Sequence, residues 1–183
     1  MQRIFLDIGS HLGETLEEVS KPIYGFDRII CFEPSPQCYA ALSAYRYGDH
    51  RIEICRFGLG DRAGNFSLYG SGLLSASLHA KGLPPIAKSQ NEDIVRIEDA
   101  ANWVSKNLNP KDLIVAKLNC EGAEVEIVRS LIRADLIKIF YSLMITFDVR
   151  DFPKLRHQEG ELRAELRSNN AQNVCFSDDV IIG

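Results

Sequence analysis

Residues 4–19 read IFLDIGSHLGETLEEV. A short apolar run carries Asp7 near its end, glycines follow at 9 and 13, and a helical pattern opens at Glu14. A first strand that turns through small residues into a helix is how open α/β sheets begin when they hold a nucleotide-like ligand. Glycine lets the backbone approach such a ligand because no Cβ intervenes. The first turn of the helix leaves N–H donors beside it.

Working outward, strand-like runs alternate with helical patterns, the signature of a mostly parallel sheet with helices on its faces. RIFLDI is the first strand and GETLEEVS a short helix that Pro22 limits. RIICFE follows as a strand, and SPQCYAALSAYRY as a helix with a serine cap and Pro36 in its first turn. RIEICRFGLG reads as the third strand, with DRAG and NFSLYG as a turn and a strand that complete a β-hairpin. Residues 71–91 carry no period, and a loop this long is usually functional. DIVRI, EDAANWVSKNL, DLIVAKLN and EGAEVEIVRSLI then alternate strand with helix. IKIFYSLMITFDV reads as the longest strand, FPKLRHQEGELRAELRS as a surface helix, and NVCF and DVIIG as a closing pair of strands. Nothing resembles a linker or repeat, so residues 1–183 are expected to form a single domain.

Composition narrows the function classes. The chain is 45% hydrophobic and 25% charged, as in an ordinary globular protein, with net charge −4. Scattered basic residues and an acidic balance disfavour nucleic acid and an anionic membrane surface as partners. Five cysteines, at 31, 38, 55, 120 and 175, form no CxxC pair, which argues against a disulfide framework or a zinc site. No apolar run approaches the roughly 20 residues of a membrane span, and Asp7 interrupts any signal-like opening. A cytoplasmic location is the expectation.

The acids separate the ligand classes. Dinucleotide sites show G-x-G-x-x-G with a pyrophosphate over the helix start. Here the pattern is Asp7-x-Gly9-x-x-x-Gly13, and an acid ahead of the first glycine suits a cationic ligand better. S-adenosylmethionine (SAM) carries an ammonium and a sulfonium and no phosphate. Glu33 ends the second strand twenty residues after Gly13, where an acid accepts from ribose hydroxyls. Gly60 and Asp61 end the next run, with Asp61 placed to accept from an adenine amino group. Each acid also has a plainer reading, as a helix-start or turn residue. Together, at three successive strand ends, they favour SAM.

The pieces FLDIGSHLGETLE, CFEPSPQCYAAL, GLGDRAGNFSLY, SASL and IVAKLNCEGAEVEIVRSL resemble, in order and spacing, the FkbM-type SAM-dependent methyltransferases. The resemblance runs from residue 4 to about residue 132. It implies a Rossmann-like class I methyltransferase fold, a mostly parallel seven-stranded sheet with helices on both faces and an antiparallel seventh strand. It also implies methyl transfer to a hydroxyl oxygen of a small acceptor, of sugar or natural-product type. Asp7, Gly9 and Gly13 then correspond to the methionine end, Glu33 to the ribose ligand and Asp61 to the adenine contact. Ser10, His11, Gly60 and Asn119 are further candidates for the cofactor pocket, His11 through its backbone. The family usually has an acid where this chain has Asn119, which hydrogen-bonds but cannot act as a base and is a poorer ligand for a hard metal. No metal is therefore expected.

Methyl transfer from a sulfonium is an in-line displacement governed mainly by alignment. A base for the acceptor hydroxyl is useful, and Glu121 and His79 are the candidates. Glu121 follows a strand at its carboxyl end, and His79 lies in the long loop beside SASL. Two other readings stay open: an NAD-dependent oxidoreductase, which lacks its glycine signature here, and a SAM-binding module without catalysis.

Overall fold

The structure is a computed structural model that describes residues 1–45, 48–73, 75–79 and 92–179. Its centre is a six-stranded sheet in which every pairing is parallel. The strands are β1 (Arg3–Ile8), β2 (Arg28–Phe32), β3 (Ile52–Cys55), β7 (Leu113–Leu118), β8 (Ser142–Ile145) and β9 (Val174–Phe176). Their spatial order is β3-β2-β1-β7-β8-β9, so strand order reverses between β1 and β7. In chain order within the sheet this is 3-2-1-4-5-6, the doubly wound arrangement whose ligands bind outside the carboxyl ends of the strands at the reversal.

β1 shows why the sheet is parallel and covered on both sides. Four of its six residues are apolar and five of the six are buried, as in strands covered on two faces. Ile4, Leu6 and Ile8 belong to one core cluster, with Ile114, Leu118, Trp103, Ile127 and Leu131. Phe5 belongs to the other, with Leu16, Ile29, Leu42 and Ile54. α1 (Glu14–Val19) and α2 (Pro36–Leu42) therefore cover one face. α3 (Ala100–Asn107), α4 (Glu124–Arg133) and α5 (His157–Ser168) cover the other.

Local signals set several helix starts. Ser35 caps α2, accepting from Cys38 N, with Pro36 inside the first turn. Asp99 caps α3 by accepting from Asn102 N at 2.6 Å. Leu162 and Leu166 seat α5, while Arg129 of α4 pairs with Glu165 across the helices.

Four sequence expectations are corrected. Six strands make up the main sheet among the described residues, not seven, and its last strand β9 runs parallel to β8. Within the expected DVIIG strand, residues 180–183 lie outside the described residues. The run RIEICRFGLG is two strands: β3 stays in the main sheet, and β4 (Gly58–Gly60) joins a separate three-stranded sheet. Its glycines explain the departure, because a Cβ at Gly58 or Gly60 would lie 2.8 Å from the Ile97 side chain. The turn after Gly60 does not make a simple hairpin. β6 (Glu92–Asp99) inserts between β4 and β5 (Gly64–Tyr69), parallel to the first and antiparallel to the second. Finally, IKIFYSLMITFDV supplies only the four residues of β8, after a single 3-10 turn at Ile137–Ile139. β6, with eight residues, is the longest strand among those described.

No helix among the described residues is long and apolar enough to cross a membrane. All five cysteines are unpaired thiols. Burial pushes the Cys31 and Cys55 thiols up to about 12, as expected of cysteines that act as small hydrophobes.

Candidate functional site

A cavity of about 370 Å³ opens where strand order reverses, within the range of small-molecule sites. It is bounded by the loop after β1, the ends of β2 and β7, and the small sheet. Leu59, Leu68 and Ile97 of the small sheet give it an apolar wall. Leu73, Ala76 and Leu78, from the described part of the 71–91 loop, extend that wall. The rest of the loop, residue 74 and residues 80–91, lies outside the described residues.

The turn that follows β1 is built around Gly9. Its φ is +84°, and a Cβ there would meet the Asn119 carbonyl oxygen at 1.8 Å, so only glycine fits. Gly9 N and Ser10 N both donate to Phe32 O, 3.2 Å away, which ties the turn to the end of β2. Gly13 caps α1 in a left-handed conformation, and Ser10 Oγ donates to Asp7 O.

Asp7 lies behind this turn and does not line the cavity. The parallel register sets it beside Lys117 of β7, whose Nζ stands 3.1 Å from Asp7 Oδ1 and donates to Gly9 O at 2.7 Å. The ion pair is close, yet neither Asp7 oxygen has a well-directed hydrogen bond. Burial raises the Asp7 carboxyl above its ordinary range, and Lys117 opposes that shift.

Glu33 lines the cavity at the end of β2. Its Oε2 accepts from His11 N and its Oε1 from Ser35 N, each at 2.8 Å. Burial raises its pKa, while the two backbone donors lower it. His11 lines the cavity with φ +48°, its Nδ1 2.9 Å from Glu14 Oε1. Asn119 lines it too, with a buried Oδ1 that meets no partner.

Glu121 reaches the same cavity from a left-handed turn, φ +49°. Burial, with Asp148 and Asp151 nearby, pushes its carboxyl up to about 7. Ser77 Oγ donates to Glu121 O at 2.6 Å, which fastens the SASL stretch over this end. His79 stands beside Glu121's turn without lining the cavity. Its ring meets Phe152 edge-on with centroids 5.8 Å apart, and its buried Nε2 has no partner.

The structure thus gathers Gly9, His11, Glu33, Asn119 and Glu121 around one cavity. It leaves Asp7 and Ser10 just behind them, and Gly13, Gly60 and Asp61 off it. Sequence reading assigned no role to Lys117, Glu124 or Asp148. A lysine inside the apolar strand DLIVAKLN was the available signal for the first, since lysine is almost never buried unpaired. Among the described residues no cluster of His, Cys, Asp or Glu has the arrangement of a metal site.

No family model and no curated protein matches the chain. Among solved structures it is similar to methyltransferase FkbM from Methylobacillus flagellatus KT, at 18% identity and a TM-score of 0.47. The match covers 73% of this chain, which spans only 30% of that one. So distant a likeness assigns neither fold nor role to this chain.

Proposed function

We propose that the protein is a SAM-dependent methyltransferase acting on a hydroxyl oxygen of a small acceptor. The observation that carries this reading is the charge of the cavity wall. Glu14, Glu33 and Glu121 line it, and Lys117 is the one Lys or Arg among its described lining residues. Lys117 is already committed to Asp7 and Gly9 O. Such a wall suits a cationic nucleoside and opposes the pyrophosphate of a dinucleotide, which speaks against the NAD-dependent alternative.

The residues present fit SAM. Leu59, Leu68 and Ile97 offer an apolar wall for a purine, and Glu33 a buried carboxylate for ribose hydroxyls. Asn119 Oδ1 is an unpartnered acceptor for a cationic or N–H group. When bound, SAM would supply an activated methyl group on a sulfonium, with a neutral thioether as its leaving group. Glu121 takes the hydroxyl proton, its carboxyl near neutrality suiting it to do so. The apolar wall of Leu59, Leu68 and Ile97 limits water in the cavity.

Calorimetry with SAM tests the reading. Wild type is expected to bind, and Glu33→Gln to bind on the order of tenfold more weakly, because a charged acceptor is lost. Heat with NAD but none with SAM sinks the proposal. Binding without turnover across hydroxylated acceptors would leave a SAM-binding module instead.

A further inference from the structure

The turn that presents Glu121 is held by two carboxyl groups that lie outside the cavity wall. Glu124, fully buried at the start of α4, folds back so that Oε1 accepts from both Cys120 N and Gly122 N at 2.9 Å. Asp148, after β8, accepts from Glu121 N through Oδ2 at 3.2 Å. Three successive N–H groups, a nest that would otherwise attract an anion, are thus occupied by the chain's own acids.

The two acids converge on one turn: Glu124 accepts from residues 120 and 122, and Asp148 from residue 121 between them. Glu124 Oε2 is buried and faces no donor. Two ionised carboxylates cannot satisfy one another, whereas a protonated Glu124 donates to Asp148 and leaves no orphan. We infer that Glu124 and Asp148 form a positioning pair, an acid and a carboxylate sharing one proton, that pins residues 120–122 and aims Glu121 into the cavity. The inference rests on the reading of that cavity as a SAM site with Glu121 as base.

The titratable groups facing the pair are Glu121 and Cys120 on the turn, Lys117 from β7, Asp151 beyond β8, and His79 across Gly122. Burial, and then Asp148, raise the Glu124 carboxyl to about 8, in keeping with a retained proton. Glutamine at 124 would reproduce the protonated acid: its oxygen accepts from Cys120 N and Gly122 N, and its amide donates to Asp148.

Carboxyl NMR of the full chain, labelled at glutamate, tests the pair without cofactor, with Glu121→Gln and Glu124→Gln assigning the signals. Glu124 is expected to keep its proton past neutral pH. Glu121 is expected to titrate alike in wild type and Glu124→Gln, and lower by about one pH unit in Glu124→Ala. A Glu124 already ionised in mild acid, or a Glu121 titration unmoved in Glu124→Ala, overturns the inference. Should Glu124→Ala fail to fold, Asp148→Asn decides: its amide donates to Glu124, so the Glu124 midpoint must fall, and an unchanged midpoint overturns the pair. In turnover with SAM and a hydroxylated acceptor, Glu124→Ala is expected to lose on the order of a hundredfold in kcat at unchanged KM for SAM, and Glu124→Gln to recover it. Failure of wild type to bind SAM would remove the functional reading, while the carboxyl titrations would still decide the pair.

Discussion

Lys117 Nζ bridges Asp7 Oδ1, at 3.1 Å, and the carbonyl oxygen of Gly9, at 2.7 Å. The acid that marks the opening strand therefore has its counter-charge inside the protein. The acidity that reaches the cavity comes from Glu14, Glu33 and Glu121. Asp7 acts on the turn through Lys117, which holds the Gly9 carbonyl in place.

Removing Lys117 alone leaves Asp7 as a buried, unpaired carboxylate. Lys117→Met is expected to cost about 3–5 kcal/mol in urea denaturation at pH 7. Lys117→Met combined with Asp7→Asn should recover part of that loss, since no charge then stays buried. If the double variant is as unstable as the sum of the singles, the pair carries no coupling.

Gly9→Ala should disrupt the turn rather than merely stiffen it. The new Cβ would collide with the Asn119 carbonyl oxygen at 1.8 Å, in a backbone conformation that L residues rarely adopt. A loss on the order of 2–4 kcal/mol is expected from strain and displacement together. A thermal melt matching wild type would contradict the placement of β7 against this turn.

Turnover should follow the ionisation of Glu121. Its carboxyl titrates at about 7, so the base form dominates above that pH and the rate falls as pH drops below it. Glu121→Gln is expected to lose on the order of 10²–10⁴-fold in rate and to lose this acid limb. An unchanged pH profile in Glu121→Gln would transfer the role to another group, with His79 the next to examine.

Stability should fall as pH rises from mild acid to mild alkali. Glu124 carries its proton in the folded protein up to about 8, whereas the unfolded chain releases it near the ordinary glutamate value of 4.5. Between those values the native state binds more protons, so its contribution is complete below about 4.5 and is lost as pH climbs toward 8. Glu121, raised to about 7, adds in the same direction. Thermal melts of wild type and Glu124→Gln from pH 5 to 8 isolate the group: wild type should lose more Tm, each kcal/mol being worth roughly 2–4 °C at this size. Parallel curves would show that Glu124 titrates normally.

Local features of the chain were enough to place most elements. RIFLDI became β1 residue for residue, and Ser35-Pro36 began α2 as a cap and first-turn proline should. Glu33 and Glu121 were legible as cavity-lining residues because they follow strands whose carboxyl ends meet in this topology. Residues 56–60 were misread because the choice of sheet for β4 depends on a distant strand, β6, and on the fit of two glycines against Ile97. IKIF looked like strand because apolar composition does not separate a buried strand from a buried 3-10 turn.

What the sequence determined by itself was the alternation of strands and helices, the need for small residues after β1, and the set of acids at the strand ends. These follow from nearest-neighbour sterics, capping and periodicity, which act within a few residues. The tertiary structure alone decided which acids face the cavity. The β1–β7 register gives Asp7 to Lys117, and the chain after β8 brings Asp148 to the N–H of Glu121. Those pairings join residues 110 and 27 positions apart, a separation across which local chemistry specifies nothing until the sheet has formed.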